Sequence, residues 1–266
     1  MYMYKPAAEL LLHESVSLFE RVGEEFVLFR EQGGFTKCDA DLKIVWETAC
    51  AYVPFTWYLE PNGSRAFIVF EETIVFGLLD LKNGQITYMN RPDIWADAWF
   101  SNLYEWSGNQ LFLYAAETDI VRFDLMTEAG TFSDYDEAPL LGSIVERGYN
   151  EQLTFERFIA PATIISYDPD QTRYVIWDAV KQEEQVIPFS DYEEYSLVDS
   201  QKQLFSVTDA TRFYLYEDKQ LKFKFEGCQS SVLLKSLLLD EQARRLAIVS
   251  TSPNFGNTWV QIFHKT

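Results

Sequence analysis

Histidine and cysteine are scarce in this 266-residue sequence, which contains 2 histidines and 3 cysteines. The histidines, His13 and His264, stand near opposite ends of the chain, so no closely spaced pair is available to bind a metal ion. The cysteines are widely separated and include no Cys-x-x-Cys pair, which is typical of reduced thiols rather than of a disulfide framework. The sequence therefore predicts no metal site and no cofactor.

Long apolar runs and familiar catalytic motifs are also missing. No stretch reaches the ~18 consecutive apolar residues of a membrane-spanning helix, and the N-terminal residues lack the pattern of a signal peptide. The glycine-rich phosphate loops and the nucleophile elbow of hydrolases are absent. These absences predict a cytoplasmic protein that does not enter the membrane, and they make an enzyme the less favoured interpretation.

Basic residues are few, with 22 Lys and Arg against 41 Asp and Glu, for a formal net charge of −19. Binding to nucleic acid or to anionic lipid would need a basic patch, so both partners are disfavoured. A basic protein partner is compatible with this charge, as is a solvated surface with no further role. The charge alone does not decide between the two.

The sequence is rich in aromatic residues (16%) and in short alternating segments that predict β-strands. Residues 62–89 contain three of these segments in a row, RAFIVF, TIVFGLLD and QITYM. The last two are joined through Asn83 and Gly84, a pair that readily forms a tight hairpin turn. Similar groups recur along the chain. Residues 232–243 are the best candidate for a helix, but their leucines run continuously rather than on one helical face, and a buried inner strand explains them as well.

Each group has an acidic residue at the end of its third predicted strand, apart from the last group, where a histidine takes this place. Spacings of 39 to 54 residues separate these positions, which are Asp39, Asp80, Asp124, Asp178, Glu217 and His264. The longest spacing contains an irregular excursion, residues 135–152, which is compatible with a helical turn. Four-stranded repeats of this length are typical of a β-propeller, in which each small sheet buries its faces against its neighbours.

The repeat pattern resembles that of propeller proteins of the WD40-like kind over nearly the whole chain. It departs from their diagnostic pairs, because Trp177 with Asp178 is the only Trp-Asp and no Gly-His is present. The resemblance therefore implies an architecture and no activity. We predict an all-β fold, a single six-bladed β-propeller domain over residues 1–266, with two β-sandwich domains as the alternative. The sixth group lacks a fourth strand, and residues 8–13 are predicted to supply it beside residues 258–264.

Propeller topology would place five acidic loops on one face, with twelve carboxylates and no Lys or Arg. Three tyrosines and tryptophans lie in or beside these loops, and such rings are frequent binding hot spots. The predicted partner-binding residues are Trp95, Asp134, Tyr135, Asp136, Glu137, Asp168, Asp170, Asp191, Tyr192, Glu193 and Glu194.

Two functions fit this face. The favoured one is a binding module that captures a basic protein, as an antitoxin or immunity-type protein does. The alternative is a propeller hydrolase or lactonase-like enzyme that uses carboxylates at the channel mouth, with or without a metal ion. Carboxylate separations would be needed to recognise a glycosidase-like pair, and a sequence does not contain them.

Overall fold

The computed structural model of the chain contains six four-stranded antiparallel sheets in a β-propeller arrangement. It describes residues 2–71, 75–90, 92, 100–115, 120–151, 153–160, 162–187, 195–199, 204–208, 212–217, 220–226, 231–240 and 243–266. In five sheets the strands follow one another in chain order, and the sixth is completed by the first strand of the chain. The all-β prediction is confirmed, and the β-sandwich alternative is not what the structure shows.

The strands match the predicted groups one for one. The chain begins with β1 (Tyr4–Leu12). The first sheet contains β2 (Val16–Val22), β3 (Glu25–Arg30), β4 (Gly34–Cys38) and β5 (Ile44–Thr48). The second contains β6 (Pro54–Leu59), β7 (Arg65–Phe70), β8 (Val75–Asp80) and β9 (Ile86–Asn90). The third contains β10 (Phe100–Ser107), β11 (Gln110–Ala115), β12 (Ile120–Asp124) and β13 (Ala129–Ser133).

The remaining sheets follow a helical insertion, formed by a 3-10 helix (Tyr135–Glu137) and α1 (Pro139–Glu151). The fourth sheet contains β14 (Thr154–Ala160), β15 (Thr163–Asp168), β16 (Arg173–Asp178) and β17 (Glu183–Ile187). The fifth contains β18 (Tyr195–Asp199), β19 (Leu204–Thr208), β20 (Arg212–Glu217) and β21 (Gln220–Glu226). The sixth contains β22 (Val232–Leu238), β23 (Arg245–Thr251), β24 (Thr258–Lys265) and β1.

The N-terminal segment is the outer strand of the sixth sheet, as predicted, and it is longer than the predicted residues 8–13. β1 pairs antiparallel with β24 from Tyr4 opposite Lys265 to Leu12 opposite Thr258. The register shifts between Pro6 and Ala8. Proline has no N–H to donate, so an edge strand is a suitable place for it.

Two compact units divide the chain. The terminal unit, residues 1–53 and 192–266, holds the first, fifth and sixth sheets, and the central unit, residues 54–191, holds the other three. Within each unit, neighbouring sheets pack face to face through buried apolar clusters. Phe26, Leu28, Val249 and Val260 belong to the cluster between the first and sixth sheets. Burying both faces of a small sheet is what makes it stable, since a lone hairpin or sheet exposes too much apolar surface.

An arginine at the start of the second strand joins neighbouring sheets in both units. In the central unit, Arg65 donates to the Gly108 carbonyl and to Asn109 Oδ1, both at 3.2 Å, in the third sheet. In the terminal unit, Arg245 donates to the Ala40 carbonyl at 3.1 Å and pairs with Glu24 at 3.2 Å in the first sheet. A guanidinium group offers donors in several directions, which suits this bridging position.

Candidate partner-binding loops

The connection between β13 and α1 contains the best-described group of predicted site residues. Asp134 precedes the 3-10 helix, and Tyr135, Asp136 and Glu137 form it. All four residues are exposed, and the tyrosine retains 41% of its accessible surface. The segment therefore presents an aromatic ring among carboxylates.

This segment is held from two sides. The Glu137 carboxylate pairs with Arg122 of β12 at 3.2 Å and accepts a hydrogen bond from Ser133 Oγ at 2.5 Å. On the other side, a Cβ atom at Gly142 would lie 2.9 Å from the Tyr135 Cβ and 3.1 Å from its carbonyl oxygen. Only glycine permits α1 to pack this closely on the 3-10 helix. Glu137 is thus a supporting residue, and Tyr135 rests on a fixed backbone.

A carboxylate from the third sheet caps the first turn of α1. Glu105 Oε2 accepts hydrogen bonds from the backbone N–H groups of Leu140 at 3.0 Å and Leu141 at 3.2 Å. These are among the amides that a helix N-terminus leaves without an intrahelical partner. Burial raises the pKa of Glu105, and the two amide hydrogen bonds partly oppose that rise. Pro139 at the first helical position is compatible with this start because its ring already has a helical φ.

Arg147 anchors the other half of α1 to the fourth sheet. Its guanidinium pairs with Glu151 at 3.0 Å and with Glu184, and its central carbon lies 4.7 Å from the centroid of the Trp177 ring. Ile144 and Leu141 are fully buried in the apolar cluster that contains Trp177. The predicted helical turn is therefore a 13-residue helix, because long-range contacts support a sequence that carries two glycines and weak periodicity.

Asp168 and Asp170 differ sharply from each other. Asp170 is exposed, whereas Asp168 is only 7% exposed and accepts hydrogen bonds from Arg173 Nε at 3.0 Å and the Gln171 amide at 3.1 Å. Burial acts to raise the pKa of Asp168, but these hydrogen bonds and the charge of Arg173 outweigh it and hold the pKa below its usual value. The expectation that both carboxylates lie free at the rim does not apply to Asp168.

A polar cavity of about 210 Å³ lies beside these two residues and is also lined by Glu151, Arg173 and Glu184. Although carboxylates converge there, no group of three His, Cys, Asp or Glu side chains suited to hold a metal ion is found in the described part of the chain. Trp95, Asp191, Tyr192, Glu193 and Glu194, which complete the predicted set, lie outside the described residues.

The acidic residues that end the third strands have a structural role that the sequence pattern did not reveal. Asp80 Oδ1 accepts from the Lys82 amide at 2.7 Å. Asp124 Oδ1 accepts from the amides of Met126 and Thr127 at 2.9 and 3.0 Å, and Asp178 Oδ1 from those of Val180 and Lys181 at 3.1 and 3.0 Å. Each of these turns also contains a left-handed residue, Gly84 (φ 78°), Glu128 (φ 55°) or Gln182 (φ 57°). Aspartate is suited to this place because its short side chain reaches the amides two and three residues onward.

The two histidines do not meet. His264 lies opposite Lys5 in the β1–β24 pair, whereas His13 follows Leu12 at the other end, roughly 25 Å along the strand. His13 Nδ1 lies 2.9 Å from Asn257 Oδ1, in a group of hydrogen bonds around the β23–β24 loop. A shared histidine site is thereby excluded.

The β23–β24 loop carries an exposed aromatic residue that sequence reasoning missed. Phe255 is 54% exposed and has φ 55°, a left-handed conformation that bulky side chains rarely adopt. Its N–H donates to the Ser252 carbonyl at 2.8 Å, and its carbonyl accepts from Ser15 Oγ at 2.7 Å. The adjacent Asn254 and Gly256 were recognisable as loop residues, but nothing in the sequence showed that the ring stays exposed.

The solved structures that are distantly similar to this chain include BamB and Cps50 (Swd1). BamB from Moraxella catarrhalis is 14% identical, with a TM-score of 0.34 over 99% of this chain and 81% of that one. The β-propeller domain of Myceliophteria thermophila Cps50 (Swd1) is 12% identical, with a TM-score of 0.45 over 99% of this chain and 100% of that one. No protein-family model and no curated protein matches the chain. The propeller assignment rests on the order of the chain's own strands.

Among the described residues, no helix has the length and apolar character needed to cross a membrane.

Proposed function

We propose that this protein is a binding module that captures a basic protein partner through its acidic, aromatic-bearing loops. The observation that carries the proposal is the segment of residues 134–137, where Tyr135, Asp134 and Asp136 are exposed on a backbone fixed by Arg122 and Gly142. A rigid scaffold that presents variable loops is a common basis for recognition. The fixed backbone reduces the entropy that the loop would lose on binding.

The net charge of −19 and the exposed carboxylates would attract a basic partner, and the tyrosine ring would supply specific buried area. The proposal extends to Trp95, Asp170, Asp191, Tyr192, Glu193 and Glu194 as further contacts. It also includes a single ring of six blades, a cytoplasmic location and an antitoxin or immunity-type role. The last of these is an analogy from composition, in which a strongly acidic protein neutralises a basic one.

The test starts from a partner purified from the source cell and measures its binding kinetics by surface plasmon resonance. Replacing Asp134 and Asp136 together by Asn should lower the association rate several-fold at low salt and flatten its salt dependence. Tyr135→Ala should mainly speed dissociation, by about tenfold or more if the ring is a hot spot.

The matched control replaces Glu128 and Glu183 by Gln. Both are exposed, Glu128 in the turn between β12 and β13 and Glu183 at the start of β17, and the net charge changes by the same amount. The control should leave the association rate within about twofold of the wild type. If it slows binding as much as the Asp134 and Asp136 pair does, only the overall charge matters and the proposed surface is wrong.

A further inference from the structure

The terminal unit contains an apolar cavity of about 450 Å³ next to Phe255. It lies between the start of β2, the end of β3, the strand β22 and the β23–β24 loop. The lining residues are Ser15, Val16, Glu31, Leu234, Thr251 and Phe255. Cavities of about 300–1,000 Å³ with mainly apolar walls and a few polar groups are the usual form of a ligand pocket.

The backbone at Phe255 is fixed beside this cavity by a dense set of hydrogen bonds. Besides the bonds to Ser252 and Ser15, Asn254 Oδ1 accepts from the Gly256 amide at 3.2 Å and from Ser252 Oγ at 2.7 Å. These contacts hold an aromatic residue in a left-handed conformation while leaving half of it in solvent. The left-handed backbone costs free energy for any residue that has a Cβ, and the exposed part of the ring contributes no burial. Strained, exposed residues of this kind are concentrated at binding sites.

The chemistry of the lining defines what could enter. Val16, Leu234 and Phe255 provide apolar walls, and the exposed Glu31 provides the charge at the mouth. Within the described residues the Glu31 carboxylate makes no ion pair, unlike Glu14 nearby, which pairs with Arg30 at 3.4 Å. An apolar group would therefore be buried against the walls while a positive charge beside it meets Glu31.

We propose that this cavity takes one large apolar side chain of a partner polypeptide, flanked by a lysine or arginine that pairs with Glu31. The proposal rests on the proposed function only for the basic character of the partner, and it adds a second contact with a defined anchor. A polypeptide fits better than a free apolar molecule, because Glu31 stands at the mouth and the whole chain is strongly acidic.

The direct test is an NMR titration of the full-length, ¹⁵N-labelled protein with acetyl-Lys-Phe-Lys-amide. We expect a Kd of about 1 mM, which a single anchored side chain can supply, and shifts centred on residues 15–16, 31 and 251–257. Acetyl-Lys-Ala-Lys-amide and acetyl-Glu-Phe-Glu-amide should each bind at least about tenfold more weakly. Equal binding of the alanine peptide would show attraction by charge alone, and equal binding of the glutamate peptide would show an apolar site with no preference for basic partners. Either result, or no binding of the first peptide, overturns the proposal.

Two variants locate the effect. Phe255→Gly removes the ring and suits the left-handed backbone, so binding should fall at least tenfold while Tm stays the same or rises by up to about 4 °C. Glu31→Gln should weaken binding of the Lys-Phe-Lys peptide about threefold or more. Phe132→Ala, which removes another exposed phenylalanine (61% exposed), should leave both peptide binding and Tm unchanged. Loss of binding in Phe132→Ala, or unchanged binding in Phe255→Gly, places the site elsewhere.

The same spectra separate this inference from the proposed function. Shifts at residues 134–142 with none at 251–257 would support the loop segment of the central unit and overturn the cavity. The opposite pattern would support the cavity alone.

Discussion

The aspartates that close the turns between third and fourth strands differ from those of residues 134–137. Asp124 and Asp178 each accept two backbone hydrogen bonds from their own turn. Asp134 and Asp136 are both exposed, and their side chains cap nothing that the structure describes. The two sets have the same residue type, but the first is partly buried and stabilises the fold, whereas the second is exposed and available to a partner.

The difference teaches that counting carboxylates overestimates the charge available for binding. Twelve acids were predicted on one face, but Glu137 is paired with Arg122 and Asp168 with Arg173. Both arginines come from strands rather than from the loops themselves, so loop sequences alone could not reveal the pairing. A carboxylate is a candidate for recognition only when the fold leaves it unused.

The largest expected effect comes from removing the strand that completes the sixth sheet. A chain without residues 1–13 loses the pairing with β24, the buried Leu12 and the ring contact of Tyr4 with Phe223, whose centroids are 4.5 Å apart. We expect a loss of several kcal/mol in the free energy of unfolding, or insoluble protein, because a bare strand edge is exposed as well. Urea denaturation of the soluble fraction measures it.

The control for this deletion is the double change Met3→Ser with Lys5→Ser, since both side chains are exposed, Lys5 on β1 and Met3 just before it. Its unfolding curve should match that of the wild type. A truncated chain with an unchanged midpoint would show that β1 does not contribute to the fold.

The next effect concerns the support beneath Tyr135. Gly142→Ala places a Cβ 2.9 Å from that of Tyr135, which is closer than real Cβ atoms approach. We expect a loss of about 1–3 kcal/mol from overpacking, with partner binding weakened as the 3-10 helix shifts. Gly256→Ala is the control for adding one methyl group, because its nearest neighbour would be 3.4 Å away. Thermal unfolding of the two variants should separate them clearly.

A smaller effect distinguishes the two kinds of aspartate directly. Asp178→Ala leaves two turn amides without their acceptor and should lower the free energy of unfolding by about 1 kcal/mol. Asp136→Ala should change it by less than about 0.5 kcal/mol, as is usual for exposed positions without structural contacts. If urea denaturation gives the same loss of unfolding free energy for both variants, the turn aspartates and those of residues 134–137 do not differ in structural role.

The smallest effects are in the pH dependence of stability, to which Asp178 and Glu105 contribute in opposite directions. Hydrogen bonds, chiefly from the Lys181 amide, lower the pKa of Asp178, so its stabilisation is present above the pKa of unfolded aspartate, about 3.9, and is lost as the pH falls through its lower folded value. Burial raises the pKa of Glu105. Ionisation of this group therefore disfavours folding as the pH rises from the unfolded pKa, about 4.3, through the higher folded one.

Asp178→Asn should reduce the loss of stability below about pH 4, and Glu105→Gln should reduce the loss that the wild type shows as the pH rises through the folded pKa of Glu105. The glutamine keeps a carbonyl oxygen for the amides of Leu140 and Leu141, so α1 should remain intact by circular dichroism. Unfolding free energies measured between pH 3 and 7 give the pH dependence of stability for each variant. If both substitutions change that dependence in the same direction, the opposite pKa shifts of Asp178 and Glu105 are contradicted.

The sequence by itself determined the strands, their grouping in fours, the turn at Asn83 and Gly84, and the outer position of the N-terminal strand. These depend on local patterns, namely the two-residue alternation of strands and the few residues that tight turns accept. The tertiary structure alone decided the length of α1, the burial of Asp168, the cap from Glu105 and the exposure of Phe255. Each of these depends on a contact between residues far apart in the chain, such as Glu105 with Leu141 or Ser15 with Phe255, and no local pattern records which distant groups will meet.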